Sequence, residues 1–190
     1  FLQGQENYNG LLVRIARLEA EANGTEPVFD AELEIVEPSL VANEMALFKA
    51  RRAEFLASVQ VEESKLAQRR RSLSEAKVSM DTALETDRLA TSEVDMLAPL
   101  VERGIEPRLE LLRAEQRRAE AKGNFKVAEL ASQRAVASVE EVEHTLSSLK
   151  ERQRAEAFEA LALAKAELSA MVQELPALED RVARTDVRAP

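Results

Sequence analysis

At 190 residues the chain has the length of one ordinary domain, but one Tyr, six Phe and no Trp leave it without the bulky aromatics that fill a compact core. Ala, Glu, Leu and Arg dominate while Gly and Pro number only 5 and 6, the profile of long helices with an apolar stripe and a charged outer face. A formal charge of −9 argues against nucleic acid as the main partner, and the absence of cysteine excludes disulfides and thiolate metal sites.

Residues 1–24 form the first predicted element. Tyr8, Leu11, Ile15, Leu18 and Ala22 recur at steps of 3 and 4, which places them on one face of an amphipathic helix. Asn23-Gly24 supplies the left-handed stop that glycine adopts without a Cβ penalty. The stretch TEPVFDAELEIVEP, within 25–38, has a proline near each end and no helical period, so it reads as a linker.

Ser39 is then a candidate N-cap. From Val41 to Val101 the 3-4 spacing holds unbroken and apolar at all but Arg52, Glu62, Arg69 and Asp87. A 3.5-residue period kept this long imposes a left-handed supercoil, and at 1.5 Å per residue the predicted helix is on the order of 95 Å long. Its four polar seam residues are expected to reach out to water along their alkyl stems. The basic run QRRRSLS (68–74) lies among acidic neighbours and reads as a solvated helix face.

The stretch LVERGIEPRLELLRAE (100–115) interrupts the pattern. Pro99 cannot donate to the carbonyl four residues back, so a bend is expected there. Gly104 provides a second left-handed stop, Ile105 can fold back on Leu100 or Val101, and Pro107 suits the first turn of a new helix. So short a connection makes antiparallel neighbours, which predicts a helical hairpin with its tip at 103–107.

The returning helix is predicted from about 107 to 183. Its seam is read through Leu109, Leu112, Val142, Leu146 and Leu149, then in a shifted phase through Phe158, Leu161, Leu168, Val172 and Leu175, a stutter in the heptads. Gly123 is expected to mark a close approach of the two helices, with a kink as the alternative, and Pro176 a bend. Because this helix outruns its partner, its far end needs further cover, which the first helix can supply. The fold class is therefore all-α: a long antiparallel coiled-coil hairpin over 39–183 with a shorter N-terminal helix packed at its base.

Catalysis is not expected. The single histidine, His144, has Glu140, Glu141 and Glu143 nearby but no fixed second shell, and reads as a solvated side chain. The carboxylates lie on the open faces of long helices, and there is no phosphate loop or activated-nucleophile pattern. No cofactor and no metal are expected. Nor does any stretch approach the roughly 20 apolar residues of a membrane span. Opening on Phe1 and closing on Pro190, the chain reads as a segment of a longer protein. Function is left to the ends of the hairpin, and at the tip the candidates for partner contact are Leu100, Arg103, Gly104, Ile105, Pro107 and Arg108.

Three stretches, LFKARRAEFL (47–56), LAPLVERGIEPRLELLRAE (97–115) and RTDVRAP (184–190), in this order and spacing resemble the hemolysin D family of periplasmic adaptor subunits, the membrane fusion proteins of type I secretion systems. The resemblance implies a periplasmic part of a protein anchored in the inner membrane of a Gram-negative bacterium. It implies self-association into a ring, expected to be a hexamer, around an inner-membrane ABC transporter, with hairpin tips that meet an outer-membrane channel. It also implies that 184–190, with Arg188-Ala189-Pro190, begins the return into a lipoyl-like β domain absent from this chain. Related drug-efflux adaptors carry an Arg-x3-Leu-x6-Ser motif at the tip; here its leucine falls on Leu100, but Met96 and Pro107 stand at the other two positions. Besides an efflux adaptor, the alternatives are the coiled-coil arm of a nucleic-acid enzyme such as a seryl-tRNA synthetase, and a cytosolic structural spacer.

Overall fold

The computed structural model describes the backbone of residues 2–186 and the side chains of residues 4–173. Its elements are four helices: α1 (Leu2–Asn23), α2 (Ala31–Val36), α3 (Pro38–Glu102) and α4 (Arg108–Asp186). The chain divides into two units. The first comprises Phe1–Val59 and Ser147–Pro190, the second Gln60–Leu146, and α3 and α4 run through both. The expected return over 184–190 falls largely on residues outside those described, and Leu175 and Pro176 lie beyond the described side chains.

Helix α3 follows the predicted period closely. Every seam position from Val41 to Val101 is buried or half-buried except Arg52 and Arg69, which are exposed. Arg52 leaves the seam by leaning over the Phe48 ring, 5.7 Å from its centroid, and pairs with Glu26. Glu62 stays half-buried and takes a hydrogen bond from Lys65 at 2.7 Å. The helix begins one residue before Ser39: the Glu37 carbonyl accepts from Leu40 and Val41 at 3.1 and 3.2 Å, so Glu37 caps it and Pro38, lacking an N–H, fills the first turn at no cost.

In the second unit α3 and α4 form an antiparallel hairpin, and the seam of α4 holds the expected Val142 and Leu146 but departs from the expected Leu109 and Leu112. The positions turned inward are Leu111, Ala114, Arg118, Ala121, Phe125, Ala128, Ser132, Ala135, Val139, Val142 and Leu146, at alternating steps of 3 and 4. Leu109 and Leu112 point out to solvent. Alanine and serine take five of these positions, and the α3 stripe carries Ala76, Ala83 and Ala90 between its Leu, Met and Val residues, so small side chains on both helices let them close without voids. Ion pairs fix the register from both sides. Glu93 and Arg117, each directly before a seam residue, form a two-pronged pair at 2.6 and 3.1 Å; Arg70 and Glu143, each directly after one, meet at 2.7 Å. Like flanks face like flanks only when the helices are antiparallel. Gly123 does not mark a close approach. It is exposed, and a Cβ built on it meets nothing within 4 Å.

In the first unit the α4 seam continues through Leu149, Gln153, Ala157, Leu161, Ala164 and Leu168, so the expected stutter is an extra step of 4 after Gln153. Phe158 and Val172, read as seam residues, are exposed. Helix α1 supplies the missing layer. Ile15, Leu18 and Ala22 pack against Ala157, Leu161 and Ala164 of α4, with Ala160 and Leu168 at the margin. A second row that the stripe reading did not include, Val13, Arg17 and Ala20, is also buried, so α1 is covered on more than one face. Arg17 donates to Glu44 of α3 and, at 2.6 Å, to Glu21, whose other oxygen lies 3.5 Å from Arg51. Burial works against the Arg17 charge, but the hydrogen bonds to Glu44 and Glu21 outweigh it and hold its pKa above the ordinary value. A raised pKa in a cation means that its contribution is complete at every pH below that ordinary value. Further pairs, Lys165 to Glu19 at 2.7 Å and Arg14 to Glu167 at 3.6 Å, tie α1 to α4. Gly24, with φ +70°, ends α1, and Thr25 N–H reaches back to the Ala20 carbonyl at 3.0 Å.

The predicted linker holds one short helix. Asp30 caps α2 by accepting from the Glu32 N–H at 2.9 Å, a local signal too brief to produce a visible helical period.

Two stability predictions follow from this packing. Leu18→Ala should cost about 2–4 kcal/mol, since the side chain is fully buried in the first unit; thermal and urea unfolding measure it, and an unchanged midpoint would show that α1 does not hold this unit together. Gly123→Ala should stabilise by about 0.5–1 kcal/mol, because the outward position has room and alanine lowers the cost of fixing a helix. A lower midpoint for this variant would contradict the open environment.

Candidate functional site

The tip is built by its backbone. Pro99 sits inside the last turns of α3, its carbonyl accepting from Arg103 N–H at 3.2 Å. Gly104 then turns into the left-handed region at φ +74°. Its N–H bonds to the Val101 carbonyl at 3.0 Å, and the Ile105 N–H bonds to the Leu100 carbonyl at 2.9 Å. This pair of bonds is the Schellman arrangement, which satisfies carbonyls that a helix end otherwise leaves bare. Pro107 stands just before α4, and its carbonyl accepts from Glu110 at 3.0 Å. Gly104 and Pro107 thus serve the geometry of the turn.

The side chains divide differently from the sequence reading. Leu100 is half-buried and its carbonyl is committed to the cap. Arg103, Pro107 and Arg108 are exposed, and Ile105 is 63 % exposed. Two residues missing from the sequence-based set join them: Leu109 and Leu112, at 55 and 52 % exposure. They were assigned to the seam, but Leu111 and the fully buried Ala114 occupy it. Leu109 and Leu112, three residues apart, lie exposed on α4's first turns, and Ile105 is exposed in the turn just before the helix. The available signal was the run Leu109, Leu111, Leu112: three leucines cannot all face one partner helix. Arg113, the next residue, is held by Glu110 at 2.8 Å.

Such an arrangement can bury apolar surface against a partner helix or groove, with guanidinium groups at its edge. Open grooves lie elsewhere among the described residues. The one that adjoins the end of α1 encloses about 380 Å³ and is bordered by Glu21, Arg51, Phe55, Gln153 and Glu156. Among the described residues no three or more His, Cys, Asp or Glu side chains gather to hold a metal ion, and no helix is long and apolar enough to cross a membrane. His144 lies exposed on α4.

Side-chain direction at the tip is measurable. Leu112→Ser should change stability by less than about 0.5 kcal/mol, as surface substitutions do. Ala114→Leu, two positions along, should cost about 1–3 kcal/mol by overpacking a closed seam. Equal effects in chemical unfolding would place the seam elsewhere.

A family model of long helical hairpins, described as AprE, long alpha-helical hairpin, matches residues 2–181. No curated protein sequence matches the chain. Among solved structures, the soluble domain of LipC, a membrane fusion protein of a type I secretion system, superposes with a TM-score of 0.87 at 17 % identity, over 99 % of this chain and 91 % of that one.

Proposed function

Because the chain belongs to the AprE family of long α-helical hairpins, we propose that it is the hairpin part of a periplasmic adaptor, a membrane fusion protein that joins an inner-membrane ABC transporter to an outer-membrane channel for type I protein secretion. The observation that carries the docking role is the exposure of Ile105 in the turn and of Leu109 and Leu112 on the first turns of α4, beside a backbone that is already capped. A closed tip has no internal use for these apolar side chains, and docking would remove them from water at once. Arg103 and Arg108 would sit at the rim, where charge selects and orients a partner more than it adds affinity. Leu100 contributes through the cap as well as through its half-buried side chain.

In this reading the protein works by span and contact, not by catalysis, and needs no cofactor. It is anchored in the inner membrane, lies in the periplasm and assembles as a ring, with a hexamer as the expected size. The departures from the efflux tip motif at Met96 and Pro107 favour protein secretion over drug efflux. LipC, described as a type I secretion fusion protein, lends support through shared fold.

The test uses the full adaptor in cells. Leu109→Asp places a charge where docking would have to desolvate it, a cost of a few kcal/mol for an unpaired polar group. Secretion should fall about tenfold or more while adaptor level and helix content stay unchanged. Normal secretion by the folded variant would remove the tip from the docking role.

A further inference from the structure

We propose that the segment from Pro27 to Glu37, including α2, is a strap that docks on the Lys150–Arg154–Phe158 face of α4 in a second copy of this chain. The inference deepens the self-association in the adaptor reading, and rests on that reading for the presence of neighbouring copies.

The strap is built to be covered. Helix α2 has no buried residue, and Ile35 and Val28 are 81 and 85 % exposed, with Val36 also in solvent. A helix of six residues is far too short to persist in water on propensity alone. Here it is held by the Asp30 cap at one end and by the Glu37 N–H bond to the Leu33 carbonyl at the other. Pro27 is buried and Phe29 and Leu33 are half-buried, which seats the segment, while Val28, Ile35 and Val36 stay together in solvent, the form of a contact surface and unlike apolar residues scattered singly over a protein. Its charge is of one sign. Asp30, Glu32, Glu34 and Glu37 alternate with the apolar residues, and no Lys or Arg occurs between Pro27 and Glu37.

The same unit carries a surface of opposite character. On α4, Lys150, Arg154 and Phe158 follow one another at steps of four, so they form one exposed row. The Arg154 guanidinium lies 5.5 Å from the centroid of the Phe158 ring, which joins the basic and the apolar part of the row into one plate. Glu151 stands exposed beside the row, and Lys150 and Arg154 with the Phe158 ring still offer a basic-and-aromatic match to the acidic-and-aliphatic strap.

A second copy is the occupant that this complementarity selects. The strap is tied to α3 through the Glu26 to Arg52 pair just before it, and at its end it leads directly into α3 at Pro38, whereas the plate is carried on α4. Two different patches that fit each other make a head-to-tail contact, and repetition of such a contact about one axis closes a ring.

The experiment is cross-linking in the full-length protein in its membrane. This chain has no cysteine of its own, so Ile35→Cys and Phe158→Cys introduce defined thiols. With a short bis-maleimide, the double variant should give a ladder of dimers and larger species, and a mixture of the two single variants should give dimers only. A Glu34→Lys change should lower the yield about tenfold, and Arg154→Glu in the same chain should restore much of it. Cross-links only within one chain, only to a different protein, or none at all would overturn the strap contact. Secretion is assayed alongside: if it proceeds normally with no ladder, the strap fails and the adaptor reading stands, whereas that reading fails on its own if a folded Leu109→Asp protein secretes normally.

Discussion

Two helices side by side share one seam, and that constraint governs the rest of this structure. A globular core surrounds its apolar residues, whereas a hairpin can bury only one stripe of each helix. In the second unit the stripe closes because small residues recur along both helices, Ala114, Ala121, Ala128, Ser132 and Ala135 on α4 and Ala76, Ala83 and Ala90 on α3. Close approach maximises dispersion contact per residue, which compensates for the small area each alanine removes from water. Whatever does not fit that seam faces solvent, and this is why Leu109 and Leu112 become surface residues beside the turn.

The first unit relaxes the constraint by adding α1. Its two buried rows give that unit a third layer, and the Arg17, Glu21, Glu44 and Arg51 cluster joins α1 to α3 within it. Buried charges add little net stability when paired, yet become costly when a shifted helix leaves them unpaired. The apolar pairs Ile15 and Leu18 with Leu161 and Ala164 favour docking of α1; the guanidinium network selects one register for it. Adhesion and alignment are thus supplied by different residues on the same helix.

Much of the fold was legible because large apolar residues at a 3-4 spacing mark α3 and because Gly24, Gly104 and Pro107 punctuate the chain with well-understood backbone preferences. The α4 seam was harder to read for a physical reason. Val142, Leu146, Leu149, Leu161 and Leu168 do mark seam positions, but alanine is common on every face of a helix and signals no direction, so large side chains such as Leu109, Leu112 and Phe158 suggest a seam from which the packing turns them outward. Val13, Arg17 and Ala20 escaped notice because a single-stripe reading of α1 assumes one partner where there are two. Helix α2 is shorter than two turns, and no period can be seen in it. At the tip the conformation of the turn could be foreseen, but the outward pair depends on which of three neighbouring leucines takes the seam, and only the opposing helix decides that.

The turn that joins α3 to α4 also sets an order of entropic costs along the chain. Bringing two segments together costs conformational freedom that grows with the logarithm of the intervening length. At Gly104 the intervening length is a few residues, with two hydrogen bonds formed on closure. Each further layer of the hairpin, such as Glu93 with Arg117 and then Arg70 with Glu143, adds little to the loop already closed. The contact of Leu18 with Leu161 lies at the other extreme, since α1 must wait for almost the whole chain to be synthesised before its partner on α4 exists. Helix α1 is thus made well before its partner on α4 and finds its seat only after the turn at Gly104 has closed.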